Sequence, residues 1–315
     1  MYPPIEPYET GMLEVGDGCS MYYELSGNPG RKPALVLHGG PGSGSTPEGR
    51  RQFDPTAWRV VQFDQRGCGR STPHASRPDT DLSTNTTRHL LADIEQLRLH
   101  LGIERWLLRG SSWGSVLALV YAEAHPEHVS GMVLSSVASG RRLETELLTR
   151  GLGRLFPEAW KRLTNIIPVG ERDGDLAAAY NRLLFHANPE VRATAARAWC
   201  DWEIAMLPTA LAPPMRYDSP DFRMAFARLV THYWSNGSWL EDGQVLRHAA
   251  QLAGIPGVIV QGRLDLTNLS GTPWELATAW PGSELVIIDE TGHEGSVELL
   301  NAVVAATDKH RNSHS

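Results

Sequence analysis

Apolar residues along this chain fall into short branched runs separated by segments with helical spacing. Ala34-Leu35-Val36-Leu37, Arg59-Val60-Val61-Gln62-Phe63, Trp106-Leu107-Leu108 and Met132-Val133-Leu134 are short and continuous, which predicts buried strands. Between them, Thr86 to Leu101 carries Leu90, Leu91, Ile94, Leu97 and Leu101 at helical spacing, and Val116 to Ala124 is rich in Ala and Leu. Both read as helices. Leu13 to Tyr23 alternates loosely around Gly16-Asp17-Gly18, the pattern of a hairpin. Strands alternating with helices of this length predict a mostly parallel sheet covered on both faces.

The rhythm stops near Gly140. From there to about Val245 the chain reads as successive helices, and five of its ten tryptophans fall in this stretch. The alternation resumes at Val258-Ile259-Val260. Thr272 to Trp280 then predicts a helix, Leu285 to Ile288 a strand, and Val297 to Ala306 a last helix. The expected division is an α/β core of residues 1–139 and 246–315, interrupted by a helical cap of residues 140–245 over the strand ends. The polar tail from Lys309 to Ser315 is expected to fray.

With 315 residues, the chain can bury a full core. No apolar run reaches 18 residues, so no membrane span is expected, and MYPPIEPYET lacks the basic and apolar regions of a signal peptide. A net charge of −7 weighs against a nucleic-acid partner. Cys19, Cys68 and Cys200 are far apart and odd in number, which fits reduced thiols in a cytoplasm. The close pair His125 and His128 is split by Pro126-Glu127 at a helix end and reads as a solvated terminus. Neither a metal nor a cofactor is expected.

The chemistry centres on Gly110-Ser111-Ser112-Trp113-Gly114, which stands between a strand and a helix. In that context G-x-S-x-G forms a sharp turn that lifts the serine hydroxyl above the sheet. Serine is a weak nucleophile at its free pKa and needs a base held by a carboxylate. Asp265 and His293 follow in the expected chain order, each just after a strand, where open α/β sheets bind ligands. Asp289 is a rival acid, but it stands only four residues before His293 on the same loop. An oxyanion site needs two N–H donors. Trp113 supplies one, and the loop His38-Gly39-Gly40-Pro41-Gly42 supplies Gly40, with Gly39 against the substrate. Two other readings are weaker. A dinucleotide-binding unit ending at Asp64 lacks G-x-G-x-x-G, is interrupted by Pro41, and has no crossover helix between Thr46 and Pro55. A catalytically dead binding protein of this fold would not need an intact Ser–Asp–His set.

MYPPIEPY, LHGGPG (37–42), FDQRGCGRSTPH (63–74), GSSWGS (110–115) and GRLDL (262–266) together resemble bacterial proline iminopeptidases. The resemblance is close over residues 2–135, patchy through the cap, and recovers over 255–295. It implies an α/β-hydrolase-fold serine peptidase that releases an N-terminal proline from small peptides without a cofactor, with Ser112, Asp265 and His293 as nucleophile, acid and base. It also implies cap acids that bind the substrate's free amino group. One is matched by Glu203 in Trp199-Cys200-Asp201-Trp202-Glu203, with Trp202 as an aromatic wall. An ammonium group needs an opposing carboxylate where water is excluded. The chain departs from the family at Val230, where a second acid is common. It departs again at Ser136 to Ser139 and Leu147 to Thr149, where pocket aromatics are common, and at Ser111, usually Gly. An esterase or amidase with the same mechanism therefore stands as the alternative.

Overall fold

The computed structural model describes residues 1–209 and 215–311. Eight strands form one sheet in the order β1-β2-β4-β3-β5-β6-β7-β8. β1 (Glu9–Glu14) and β2 (Ser20–Gly27) form the antiparallel hairpin, with Leu13 opposite Met21 and Gly16, Asp17 and Gly18 all at positive φ in the turn. β2 pairs antiparallel with β4 (Trp58–Phe63). β3 (Lys32–Leu37), β5 (Trp106–Ser112), β6 (Val129–Val137), β7 (Gly257–Gly262) and β8 (Ser283–Ile288) continue the sheet, and all these pairings, including β3 with β4, are parallel.

Apolar residues on both faces explain the continuous strand runs. Leu108 of β5 packs with Leu90, Ile94 and Leu97 of α2 (Thr87–His100) and with Leu117 of α3 (Trp113–Ala124). Its neighbour Leu107 turns to the opposite face and packs with Val303 of α11 (Val297–Arg311). α1 (Pro47–Arg50) lies in the β3–β4 connection, and α10 (Gly271–Ala279) adds Leu276 to the first face. α11 runs on to Arg311, where fraying from Lys309 was expected, because Thr307 donates to Gln52 O (2.7 Å) and Arg311 pairs with Asp54 (2.9 Å). The rest of that tail, 312–315, lies outside the described residues.

Between β6 and β7 the elements among the described residues are helical: α4 (Arg142–Thr149), α5 (Pro157–Asn165), α6 (Leu176–Leu184), α7 (Pro189–Ala205), α8 (Pro220–Ser235) and α9 (Gln244–His248), with short 3₁₀ turns. The starts are written in the sequence. Asp175, Asn188 and Ser219 cap first-turn N–H groups of α6, α7 and α8, and Pro189 and Pro220 occupy positions where no N–H is needed. α5 to α8 bury a core of their own, including Leu163, Tyr180, Trp199, Trp202 and Phe226. α8 also anchors to the sheet domain: Arg228 donates to Ala75 O (3.0 Å), and the Tyr233 hydroxyl to Asn85 Oδ1 (2.8 Å). No helix among the described residues is long and apolar enough to cross a membrane.

Candidate active site

Ser112 ends β5 and caps α3 at φ 55° and ψ −126°, a strained conformation for a residue with a side chain. The turn is tight enough to demand glycine on both sides. A Cβ on Gly110 would stand 2.2 Å from Gly114 O, and one on Gly114 would stand 2.1 Å from Leu37 O. Trp113 opens the helix, so its N–H has no acceptor in the helix itself. Gly39 lies directly opposite: a Cβ there would be 3.4 Å from Ser112 Cβ.

Asp265 follows β7 and is buried. Its Oδ1 accepts from Thr267 N (3.1 Å), Thr267 Oγ1 (2.8 Å) and Asn268 N (2.9 Å). Its Oδ2 accepts from His293 Nδ1 (2.9 Å) and Gln261 Nε2 (3.4 Å). Burial pushes the Asp265 carboxyl up, but the His293 charge and these donors outweigh it and hold its pKa below the usual value. Burial likewise pulls the His293 imidazole down, yet the Asp265 charge and hydrogen bond outweigh it, with Glu294 and Glu203 adding, and its pKa is raised. Asp289 instead pairs with Arg263, and both are exposed.

Ser112, Gly39, Gly40, Trp113, His293 and Glu203 line one cavity of about 390 Å³. No hydrogen bond joins Ser112 Oγ to His293 among the described residues; such contacts often tighten only when substrate binds. Glu203 reaches the cavity from α7, and Trp199 Nε1 donates to its Oε1 (3.1 Å). Burial pushes Glu203 up to about 7, against the His293 charge and the Trp199 bond.

Trp202 corrects the expectation that it walls the cavity. It is 1% exposed, its Nε1 donates to Leu148 O (2.9 Å), and it does not line the site. The reason is helical phase: Trp202 and Glu203 are consecutive, so about 100° of rotation separates them, and the turn that brings Glu203 to the cavity carries Trp202 into the helical core. The aromatic wall comes instead from Tyr217 and from Phe226 and Trp234 on α8, side chains that no sequence motif singles out. Val230, midway between the last two, is fully buried in the helical core and does not line the cavity.

The α/β hydrolase fold family matches residues 32–298. A probable proline iminopeptidase of Streptomyces coelicolor is 58% identical over 314 residues, covering 98% of this chain and 97% of its own length. The chain belongs to the proline iminopeptidase family. A proline iminopeptidase of Xylella fastidiosa is 44% identical over 98% of both chains, and one of Arabidopsis thaliana is 41% identical over 98% of this chain and 81% of its own. The crystal structure of a proline iminopeptidase from Mycobacterium smegmatis superposes with a TM-score of 0.67 at 21% identity, covering 96% of this chain and 99% of that one. That identity speaks to the fold alone. Membership in the proline iminopeptidase family makes the protein an enzyme of the α/β-hydrolase fold.

Proposed function

We propose that the protein is a serine aminopeptidase that releases an N-terminal residue, by preference proline, from short peptides. Ser112 Oγ attacks the carbonyl carbon while His293 takes its proton, and Asp265 holds the imidazole in the tautomer that can accept it. The Gly40 and Trp113 N–H groups receive the developing oxyanion. Collapse expels the shortened peptide, whose amine takes the proton from His293, and water then hydrolyses the acyl-enzyme by the same steps. Residues 140–245 serve as a cap that brings Glu203 over this machinery. Three free cysteines, two of them buried, support a reducing compartment such as the cytoplasm.

The observation that carries this reading is Glu203, a carboxylate in the same cavity as Ser112 and His293, walled by aromatic rings. It offers an ionic partner for a substrate ammonium in the cavity that holds the nucleophile. Val230 favours the alternative of an esterase or amidase, because the position where the family commonly carries a second acid holds an apolar side chain covered in the helical core. The two readings separate on kcat/KM for proline 4-nitroanilide, its N-acetylated form and 4-nitrophenyl acetate. A strong preference for the free amine supports the peptidase; indifference to N-acetylation overturns it. Glu203→Gln is expected to lower kcat/KM on the free-amine substrate by an amount on the order of 2–5 kcal/mol, as for loss of one partner of a buried ion pair, and to spare the ester. Equal losses on both would make Glu203 structural.

The pH profile should follow from His293. The imidazole must be neutral to act as base, and its pKa is raised above the ordinary 6.5. Ester turnover should therefore fall on acidification through an apparent pKa above 6.5. Glu203 supports the raised value, so Glu203→Gln should move this acid limb to lower pH. A limb that stays in place in the variant would contradict the coupling.

A further inference from the structure

The loops after β3 and β4 carry the motifs LHGGPG and FDQRGCGRSTPH, and both meet the nucleophile turn, Gly39 at Ser112 and Gln65 at Trp113. His38 Nδ1 lies 2.9 Å from Gly39 O, and His38 Nε2 lies 3.0 Å from the main-chain nitrogen of Gln65. A main-chain N–H can only donate, so Nε2 is unprotonated and the proton sits on Nδ1, donated to Gly39 O. Ser43 N–H donates to the same oxygen (3.2 Å). In a trans peptide the C=O and N–H point in opposite directions. Pinning Gly39 O from one side therefore aims the N–H of the same peptide unit, that of Gly40, to the other. The Gly40 N–H has no protein acceptor among the described residues, and Gly40 lines the cavity.

Gln65 ties this loop to the second donor. Its Nε2 donates to His38 O (3.0 Å), and its Oε1 accepts from the Trp113 indole N–H (3.0 Å). Partner chemistry fixes both ends of the amide, because a carbonyl only accepts and an indole N–H only donates. His38, Gln65 and Trp113 are all buried, and the Tyr233 ring of α8 packs edge-on against Trp113 at 4.8 Å. Trp113, which opens α3 and lines the cavity, is thus held through its side chain.

We propose that His38 and Gln65 are positioning residues that set the aim and spacing of the two oxyanion donors, the N–H groups of Gly40 and Trp113. The proposal rests on Ser112 as nucleophile and holds whichever acyl group the enzyme prefers. Gln65 does not line the cavity, and His38, which does, spends both ring nitrogens on main-chain groups. Each acts through a peptide unit: His38 through the Gly39–Gly40 peptide, and Gln65 through His38 O and the Trp113 indole.

The test compares His38→Leu, His38→Asn and Gln65→Met with the native enzyme on proline 4-nitroanilide and on 4-nitrophenyl acetate. Two inhibitors separate ground-state binding from oxyanion binding. Pyrrolidine has no carbonyl. A boronic acid takes Ser112 Oγ onto boron, passes its proton to His293, and becomes a tetrahedral anion at the donors. Complete loss of one oxyanion donor costs about 10²–10³ in kcat, so misaim in His38→Leu and Gln65→Met should cost roughly 10–100-fold on both substrates and weaken the boronate by a similar factor. KM and pyrrolidine affinity should stay within about threefold, since those interactions are made equally in the ground state. His38→Asn keeps a donor in the place of Nδ1 and should recover most of the kcat lost in His38→Leu. Unchanged boronate affinity, or pyrrolidine affinity falling in step with kcat, overturns the proposal. So does an Asn variant no better than the Leu variant. If His38→Leu does not fold, the Asn and Gln65→Met variants decide it through the boronate-to-pyrrolidine ratio. A protein active on the ester but not on the prolyl substrate would overturn the peptidase reading and leave this test readable on the ester.

Discussion

Ser112→Ala is expected to cut turnover by about 10⁴–10⁶-fold while leaving the fold intact, because triad members act as a unit and loss of the nucleophile removes the covalent path. The structure says why the fold should tolerate it. The Ser112 hydroxyl makes no hydrogen bond among the described residues; it is the Ser112 carbonyl that accepts from Ser115 Oγ (2.6 Å). Alanine keeps the Cβ and so the same backbone strain at φ 55°. The melting temperature should be unchanged or slightly raised. The measurement is kcat on the best substrate, with a fluorophosphonate label mapped by peptide mass. A folded variant that keeps a tenth of native activity, or native protein labelled elsewhere, would remove Ser112 from its role.

Much of this site is legible in the sequence because its chemistry is local to strand ends. Short branched runs mark the strands, and the residues that follow them, Ser112, Asp265 and His293, share the carboxyl edge that a parallel sheet creates. Glycine at 110 and 114 is legible too, since a turn with contacts near 2 Å to a hypothetical Cβ admits nothing larger. What the sequence hides is helical phase in the segment 140–245. Trp199 and Trp202 look equivalent in a W-x-x-W-E stretch, and both enter the helical core, yet the indole N–H of one holds Glu203 and that of the other bonds Leu148 O. The inward face of α8 is hidden for a different reason: Phe226, Val230 and Trp234 share one face, yet the first and last line the cavity while Val230, between them, is covered. Periodicity shows that a helix has an apolar stripe; which part of the stripe meets an open cavity depends on neighbouring helices. The partners of buried polar groups, such as Gln65 with Trp113 and Gln261 with Asp265, are set by long-range packing and leave no local signal.

Asp265→Asn is expected to lower kcat on the order of 10⁴-fold, the scale seen when a triad carboxylate is made neutral in place. Here the hydrogen bonds dictate the mechanism of the loss. Oδ1 receives three donors, from Thr267 N, Thr267 Oγ1 and Asn268 N, so the asparagine oxygen must take that position. Its NH₂ group is then forced to the Oδ2 position, facing His293 Nδ1. Gln261 cannot turn to relieve this, because its own Oε1 accepts from Val137 N (2.9 Å) and its Nε2 donates to Asn268 O (2.8 Å). His293 must therefore accept at Nδ1 and carry its proton on Nε2, which leaves no lone pair to take the proton of Ser112. The sign of the accompanying pH shift is also fixed. Asp265 raises the His293 pKa, so removing its charge should move the acid limb of the residual activity to lower pH. A variant that was merely less stable would lose activity without that shift. Asp289→Asn is the control: it breaks only an exposed pair with Arg263, worth about 0–1 kcal/mol, and should leave kcat nearly unchanged. If Asp289→Asn proved as damaging as Asp265→Asn, the acid of the triad would be the other carboxylate.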